Sequence, residues 1–281
     1  MMWYEQNGEI SDVILSSKIR ILRNIKGFSF PKKMSPEEKE NVIGMVRQAL
    51  SSHSLSFVRA DELDDENKKT LFENWTISKG FTNDGKGKGL LTNADGSQTV
   101  IINDVDHISV QTFSAGGVDI DKSYISAEAL TVDIEKAMDV AYSEKMGFLT
   151  SHINDAGSGM RIGYLVAIPG ITKAGMLLPF IKKIAKYDWT LIPAFQTRQT
   201  KDDFLFILTN TTTLGIDEKK LLEGARSISR ELVKAERACR TEIYKKNTAI
   251  VEDQFYRSYA ILKYGRRISS AESTGLISWL W

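Results

Sequence analysis

The sequence predicts an α+β fold, an antiparallel sheet with interspersed helices that is bracketed by helices at both ends. Three observations carry this. Gly89–Asn93 and Gln98–Asn103 flank Asp95-Gly96, a dipeptide favoured in tight hairpin turns, so two strands are expected to pair antiparallel. Strand-like runs recur at Ile108–Phe113, Arg161–Ile168, Trp189–Phe195 and Phe204–Thr209. The long amphipathic stretch Ile216–Lys246 then follows the strands instead of alternating with them in regular βαβ units.

In chain order, Val13–Arg23 interleaves apolar and basic residues and reads as a strand or an extended segment. Ser35-Pro36-Glu37-Glu38 starts a helix running to about Ser51: a hydroxyl cap, proline in the first turn, then acids facing the positive helix end. A second helix fits Asp65–Trp75. Gly80–Gly89, with its glycines and lysines, reads as a mobile surface loop; it contains G-x-G but lacks the G-K-[ST] ending of a phosphate-binding loop. Leu130, Ile134, Ala137, Met138 and Ala141 share one face of a helix expected over Ala127–Lys145. Thr172–Lys186 and Val251–Tyr264 complete the expected helices. The apolar end, Ser278-Trp279-Leu280-Trp281, must pack on its own domain or on a partner.

Composition bounds the function. The chain has 281 residues, 42% hydrophobic and 26% charged, as in an ordinary soluble globular protein. Its 37 basic and 36 acidic residues leave a formal charge of +1, which argues against broad nucleic-acid or membrane-surface binding. One cysteine, Cys239, forms no internal disulfide and fits a reducing cytoplasm. His53, His107 and His152 lack metal-ligand spacing. No stretch approaches the roughly 20 apolar residues of a spanning helix, and Met1–Asp12 has neither signal- nor transit-peptide character.

Four ordered segments carry a resemblance. Ser16-Ser17-Lys18-Ile19-Arg20-Ile21-Leu22-Arg23-Asn24 is similar to S-S-R-I-R-L-A-R-N. Ile102–His107 (I-N-D-V-D-H) is similar to I-N-E-E-D-H-L-R. Gly147–Arg161 (G-F-L-T-S-H-I-N-D-A-G-S-G-M-R) is similar to G-Y-L-T-S-C-P-T-N-x-G-T-G-L-R, and Asn210–Gly215 (N-T-T-T-L-G) to N-x-x-T-L-G. With Trp3-Tyr4, A-E-R-A-C-R at Ala235–Arg240 and Y-R-S-Y-A-I-L at Tyr256–Leu262, the chain resembles the guanidino-phosphotransferase family, nearest its bacterial protein-arginine kinases. The resemblance implies a guanidino-kinase-like catalytic domain over 1–215 and C-terminal helices over 216–281. These helices are short relative to the family and lack its R-D-x-x-R-A phosphoarginine motif, so recognition and dimerisation parts are only partly represented and a dimer is left open.

The family moves the γ-phosphoryl group of ATP, with Mg²⁺, onto a guanidinium. That chemistry needs positive forks around the phosphates and acids that hold and deprotonate the acceptor. By resemblance Ser16, Lys18, Arg20, Trp75 and Arg161 fall at nucleotide-binding positions. Lys18 replaces an arginine, keeping charge without the fork. Trp75 replaces a histidine and is read either as a platform for adenine or as core packing. Ser109 and Ile192 replace arginines, with Pro193 beside the latter. On the acceptor side, the family's acids align with Val105 and Thr197 and its cysteine with His152. Asp104 and Asp106 flank Val105 but are expected to point to the other face of a strand, unless a bulge turns one of them in.

These losses imply a catalytically impaired or inactive homologue, a pseudokinase that keeps ATP binding and acts through a partner. The family analogues of such a partner are an active paralogue, a zinc-finger activator, a Clp ATPase or a stress-response repressor. The competing expectations are an active protein-arginine kinase with a rearranged site, or a transferase in which His152 takes the phosphoryl group.

Overall fold

In the computed structural model the described residues are 2–5, 8–78, 80–81, 85–116, 120–194 and 204–281. Ten strands are described: β1 (Ile14–Arg23), β2 (Ser56–Arg59), β3 (Gly89–Thr92), β4 (Gln98–Ile102), β5 (Ile108–Ala115), β6 (Tyr142–Ser143), β7 (Gly147–Phe148), β8 (Met160–Ala167), β9 (Trp189–Pro193) and β10 (Leu205–Asn210). All but β6 and β7 join one sheet in the order β2-β3-β4-β5-β1-β8-β10-β9. Every neighbouring pair in it is antiparallel. The named helices are α1 (Pro36–Ala49), α2 (Asp65–Glu73), α3 (Ile120–Ala137), α4 (Pro169–Lys173), α5 (Leu177–Ile184), α6 (Glu218–Lys246), α7 (Thr248–Tyr264) and α8 (Ser270–Leu280).

The alternation of β1 sorts its side chains between two faces of the sheet. Ile19 and Ile21 enter a large core with Val110, Ile162, Val166 and Leu208, roofed by Leu130 and Ile134 of α3 and by Leu221, Ala225, Ile228 and Leu232 of α6. Lys18 and Arg20 take the opposite face, where a groove opens over the sheet. One face packed and one solvated is the usual state of an antiparallel sheet. On the groove side of β3 and β4, Leu90 and Ile101 form a smaller apolar cluster with Ala60, Ile77 and Phe81.

Local signals behave as their chemistry predicts. Ser35 and Glu38 form a reciprocal capping box, 3.2 Å from the Glu38 N–H to the serine oxygen and 2.7 Å from the Ser35 N–H to the carboxylate. Asp217 caps α6 by accepting from the Lys220 N–H at 2.7 Å. Gly96 takes φ +74° in the hairpin turn.

Three expectations change. The helix expected over Ala127–Lys145 spans Ile120–Ala137. Beyond it the chain is drawn to the end of β1: the Ala141 N–H donates to Asn24 O at 2.7 Å and the Lys26 N–H to Asp139 O at 2.9 Å. The segment then turns back as the β6–β7 hairpin. Thr172–Lys186 is not one helix but α4 and α5, separated at Gly175 with φ +70°. The described part of the 80–89 loop is packed: Phe81 is buried, and Lys88 Nζ binds Gly80 O at 3.2 Å and the Asp104 carboxylate at 3.3 Å. Phe195, the expected end of a strand, lies outside the described residues.

The C-terminal residues pack on their own chain. Trp281 Nε1 donates to Asp12 O at 2.6 Å, and Lys173 Nζ lies 4.5 Å from the Trp279 ring centre. Helix α8, absent from the expected elements, is capped by Ser269. Among the described residues no helix is long and apolar enough to cross a membrane.

Candidate active site

The register brings the two groove arginines together. Arg20 of β1 pairs with Arg161 of β8, and Lys18 pairs with Gly163. Two residues along a strand return to the same face, so Lys18, Arg20, Arg161 and Gly163 share one floor. Trp75 follows α2 in a left-handed turn, φ +62°, which swings its indole over that floor. Ile192, Ile207 and Thr209 close the far side, and the groove holds about 240 Å³.

Each cation is held differently. Lys18 Nζ donates to Trp75 O at 2.8 Å and lies 5.2 Å from the Trp75 ring centre and 5.1 Å from that of Phe113. Burial above all, and the neighbouring Arg20 charge second, push its pKa well below the usual lysine value. Arg20 reaches Asp155 through Nη2 at 3.2 Å, and its buried Nε has no hydrogen-bond partner among the described residues. Arg161 donates through Nε to Asp155, through Nη1 to Asn210 O and, at 3.4 Å, through Nη2 to Asn154 O. The Arg20 Nε is thus a buried donor left unpaired beneath the groove floor.

Of the other aligned positions, Ser16 is buried on β1 and does not line the groove. Ser109 is buried on β5, where its oxygen accepts from Gln111 Nε2 at 3.3 Å. Ile192, which the resemblance aligns with an arginine, puts an apolar side chain into the groove. Val105 sits in the 103–107 loop with 46% of its surface exposed. His152 is exposed on the adjoining turn, and the two segments are tied by Ser151 Oγ donating to Val105 O at 2.7 Å. Thr197 lies outside the described residues.

The acids flanking Val105 are engaged elsewhere. Asp104 accepts from Ser78 Oγ at 3.0 Å and pairs with Lys88 at 3.3 Å. Asp106 is buried and accepts from Asn24 Nδ2 and the Ser151 N–H, both at 2.7 Å. The acid beside the arginines is Asp155, which sequence reasoning passed over. Its signal was available: in the quoted pattern that position is an asparagine. Arg23, the last arginine of the first segment, is structural; it is buried against Glu135 at 2.6 Å and Ser158 O at 3.0 Å. Among the described residues no three His, Cys, Asp or Glu side chains are grouped as metal ligands.

His107 anchors the loop that carries Val105. The Ile25 N–H donates to its Nδ1 at 2.9 Å, so Nε2 carries the proton and donates to Ser29 O at 2.7 Å. Burial is the main reason its pKa lies below the ordinary 6.5. A folded pKa below the unfolded one means that the unfolded chain takes up this proton first. The contribution of His107 is therefore complete above 6.5 and lost as pH falls from there toward the folded value. Urea midpoints should decline between pH 7 and pH 5.5, with a shallower slope in His107→Gln; equal slopes would contradict this.

Comparisons with known proteins bear on the fold and the family. The model of the ATP:guanido phosphotransferase C-terminal catalytic domain matches residues 38–239. The protein-arginine kinase of Pelotomaculum thermopropionicum is 30% identical over 98% of this chain and 79% of its own length. That of Caldanaerobacter subterraneus is 29% identical over 95% of this chain and 81% of its own length. Among solved structures, a lombricine kinase superposes with a TM-score of 0.71 at 16% identity, covering 84% of this chain and 69% of the other. The duplicated taurocyamine kinase of Schistosoma mansoni, solved with transition-state-analogue components, gives 0.74 at 17% identity over 94% of this chain; the match spans 42% of that longer protein. These structural likenesses establish the α+β fold, and the match over 38–239 establishes the lineage: the chain belongs to the ATP:guanido phosphotransferase family.

Proposed function

We propose that this chain is a catalytically impaired homologue of the protein-arginine kinases that still binds nucleotide and acts through a protein partner in a quality-control or stress-response pathway. The observation that carries the reading is an asymmetry. Lys18, Arg20 and Arg161 converge on one groove, whereas the acceptor side presents Val105 with Asp104 and Asp106 bonded elsewhere. ATP with Mg²⁺ is the substrate that family membership suggests. The groove offers it Trp75 as a stacking surface and the side chains of Lys18 and Arg20. A valine supplies neither an acceptor for the guanidinium proton nor a charge to orient it.

Magnitudes favour binding over turnover. Loss of one preorganised charged group costs about 3–4 kcal/mol of transition-state stabilisation, and concerted losses are severe though not additive. The surviving cations favour a second reading, an active protein-arginine kinase with a rearranged site. Calorimetric titration with ATP–Mg²⁺, run beside an ATP-turnover assay on an arginine-rich protein, separates the two. Micromolar to millimolar binding without phosphoarginine is expected. Turnover at a rate typical of kinases, about 1–100 s⁻¹, would establish the second reading, and a folded chain that binds no nucleotide would reject both.

A further inference from the structure

We propose that Asp155 is a resident anion beside this groove, a carboxylate that competes with any phosphoryl group for the guanidinium groups of Arg20 and Arg161. The inference deepens the nucleotide-binding reading and rests on it only for the identity of the groove as an anion site.

The geometry is that of a bridged fork. One carboxylate oxygen of Asp155 meets Arg20 Nη2 at 3.2 Å and the other meets Arg161 Nε, with only 9% of the side chain exposed. Carboxylate and phosphate oxygens compete for the same planar guanidinium donors. Arg161 gives its remaining bonds to Asn210 O and Asn154 O, so its Nε, Nη1 and Nη2 are all engaged within the chain. Arg20 keeps the unpartnered Nε. The pair therefore presents one formal positive charge instead of two once Asp155 is counted, and only part of its donors.

The carboxylate is held in place by the backbone. Asp155 closes a short 3-10 turn, Ile153–Asp155, through its N–H to His152 O at 2.9 Å. The Thr213 N–H binds Asn154 O at 3.1 Å, and Thr213 Oγ1 binds Ala156 O at 2.6 Å, clamping both neighbours of Asp155. Gly157, φ +101°, sits so close to Thr213 that a Cβ there would lie 2.5 Å from its carbonyl oxygen. A carboxylate fixed this way competes without first losing conformational entropy, unlike a dissolved phosphate. The consequence is selective. Ligands that add phosphates gain little here, whereas contacts with Trp75 on the other side of the groove are unaffected.

The test titrates inorganic pyrophosphate, and separately adenosine, into the whole chain and into Asp155→Asn, which keeps the shape of the side chain and removes its charge. Pyrophosphate affinity is expected to rise about tenfold or more in the variant, the size of one uncompensated charge at hydrogen-bond range in a partly solvated groove, with adenosine affinity unchanged. Unchanged or weaker pyrophosphate binding, or none in either protein, overturns the proposal. If Asp155→Asn does not fold, Asp155→Ser is used, and the pyrophosphate-induced rise in melting temperature must exceed that of the parent chain. Failure of adenosine and ATP to bind either protein would reject the nucleotide reading, while the pyrophosphate comparison would still decide the role of Asp155.

Discussion

Replacing Glu236 with alanine is expected to lower the unfolding free energy by about 3–5 kcal/mol, the range for breaking a buried charged pair by removing one partner. Glu236 is completely buried on α6. Its two oxygens accept from the Gly170 and Ile171 N–H groups, each at 2.8 Å, and one of them also accepts from Arg240 Nε at 2.6 Å. It thus satisfies the free amides at the start of α4, which begins with Pro169 and has no side-chain cap of its own. Alanine would strand two buried donors and a partly buried guanidinium. Arg240 in turn donates to Asp12 O at 2.8 Å, the same carbonyl that receives Trp281 Nε1. The loss should therefore spread to both termini of the chain. Urea unfolding checks the magnitude. Glu236→Gln keeps an acceptor for one amide but points a donor at the other, and should fall between parent and alanine. A cost below about 1 kcal/mol, the worth of a surface ion pair, would show that the node contributes little.

How far the sequence spoke follows from the range of the interaction involved. The antiparallel hairpin, the hydroxyl cap of α1 and the extended segment 13–23 are legible because their causes lie within a few residues. The same holds for the meeting of Lys18 and Arg20: period two on a strand puts both on one face. What failed was nonlocal. Met138 and Ala141 fit the helical period of α3, yet Ala141 is held by Asn24, more than a hundred residues away in sequence. Asp155 stands within the Gly147–Arg161 segment of the resemblance, and nothing local says that two arginines converge on it. Lys18 was counted as a cation, but the aromatic rings that desolvate it come from a helix end and from β5. Glu236 belongs to a segment that carried the family resemblance, and its function is architectural.

Gly163→Ala is expected to weaken nucleotide binding about 5- to 150-fold, the equivalent of losing one base–aromatic stack worth about 1–3 kcal/mol, with much less effect on folding. Gly163 lies on the groove floor between Lys18 of β1 and Thr209 of β10. A Cβ there would fall 2.5 Å from Trp75 Cη2 and 2.9 Å from Cζ2. The backbone of β8 cannot yield, because Gly163 is bound into a sheet on both sides. The indole must move instead, since its own backbone is fixed in a left-handed turn and its carbonyl holds Lys18. Displacing the ring removes the stacking surface and one of the two aromatic faces beside the Lys18 ammonium. Overpacking by one methyl costs about 1 kcal/mol here, the low end of its range, because the clash is with a partly exposed side chain and not with the main core. Indole fluorescence should report the displacement, and ATP titration the loss. If affinity survives while the ring moves, Trp75 packs against the floor without contacting the base, and the adenine platform must be sought along Ile192 and Ile207 on the far wall. If affinity and stability fall together, Trp75 is a structural wedge. A selective fall in affinity is the outcome expected if Trp75 is the adenine platform.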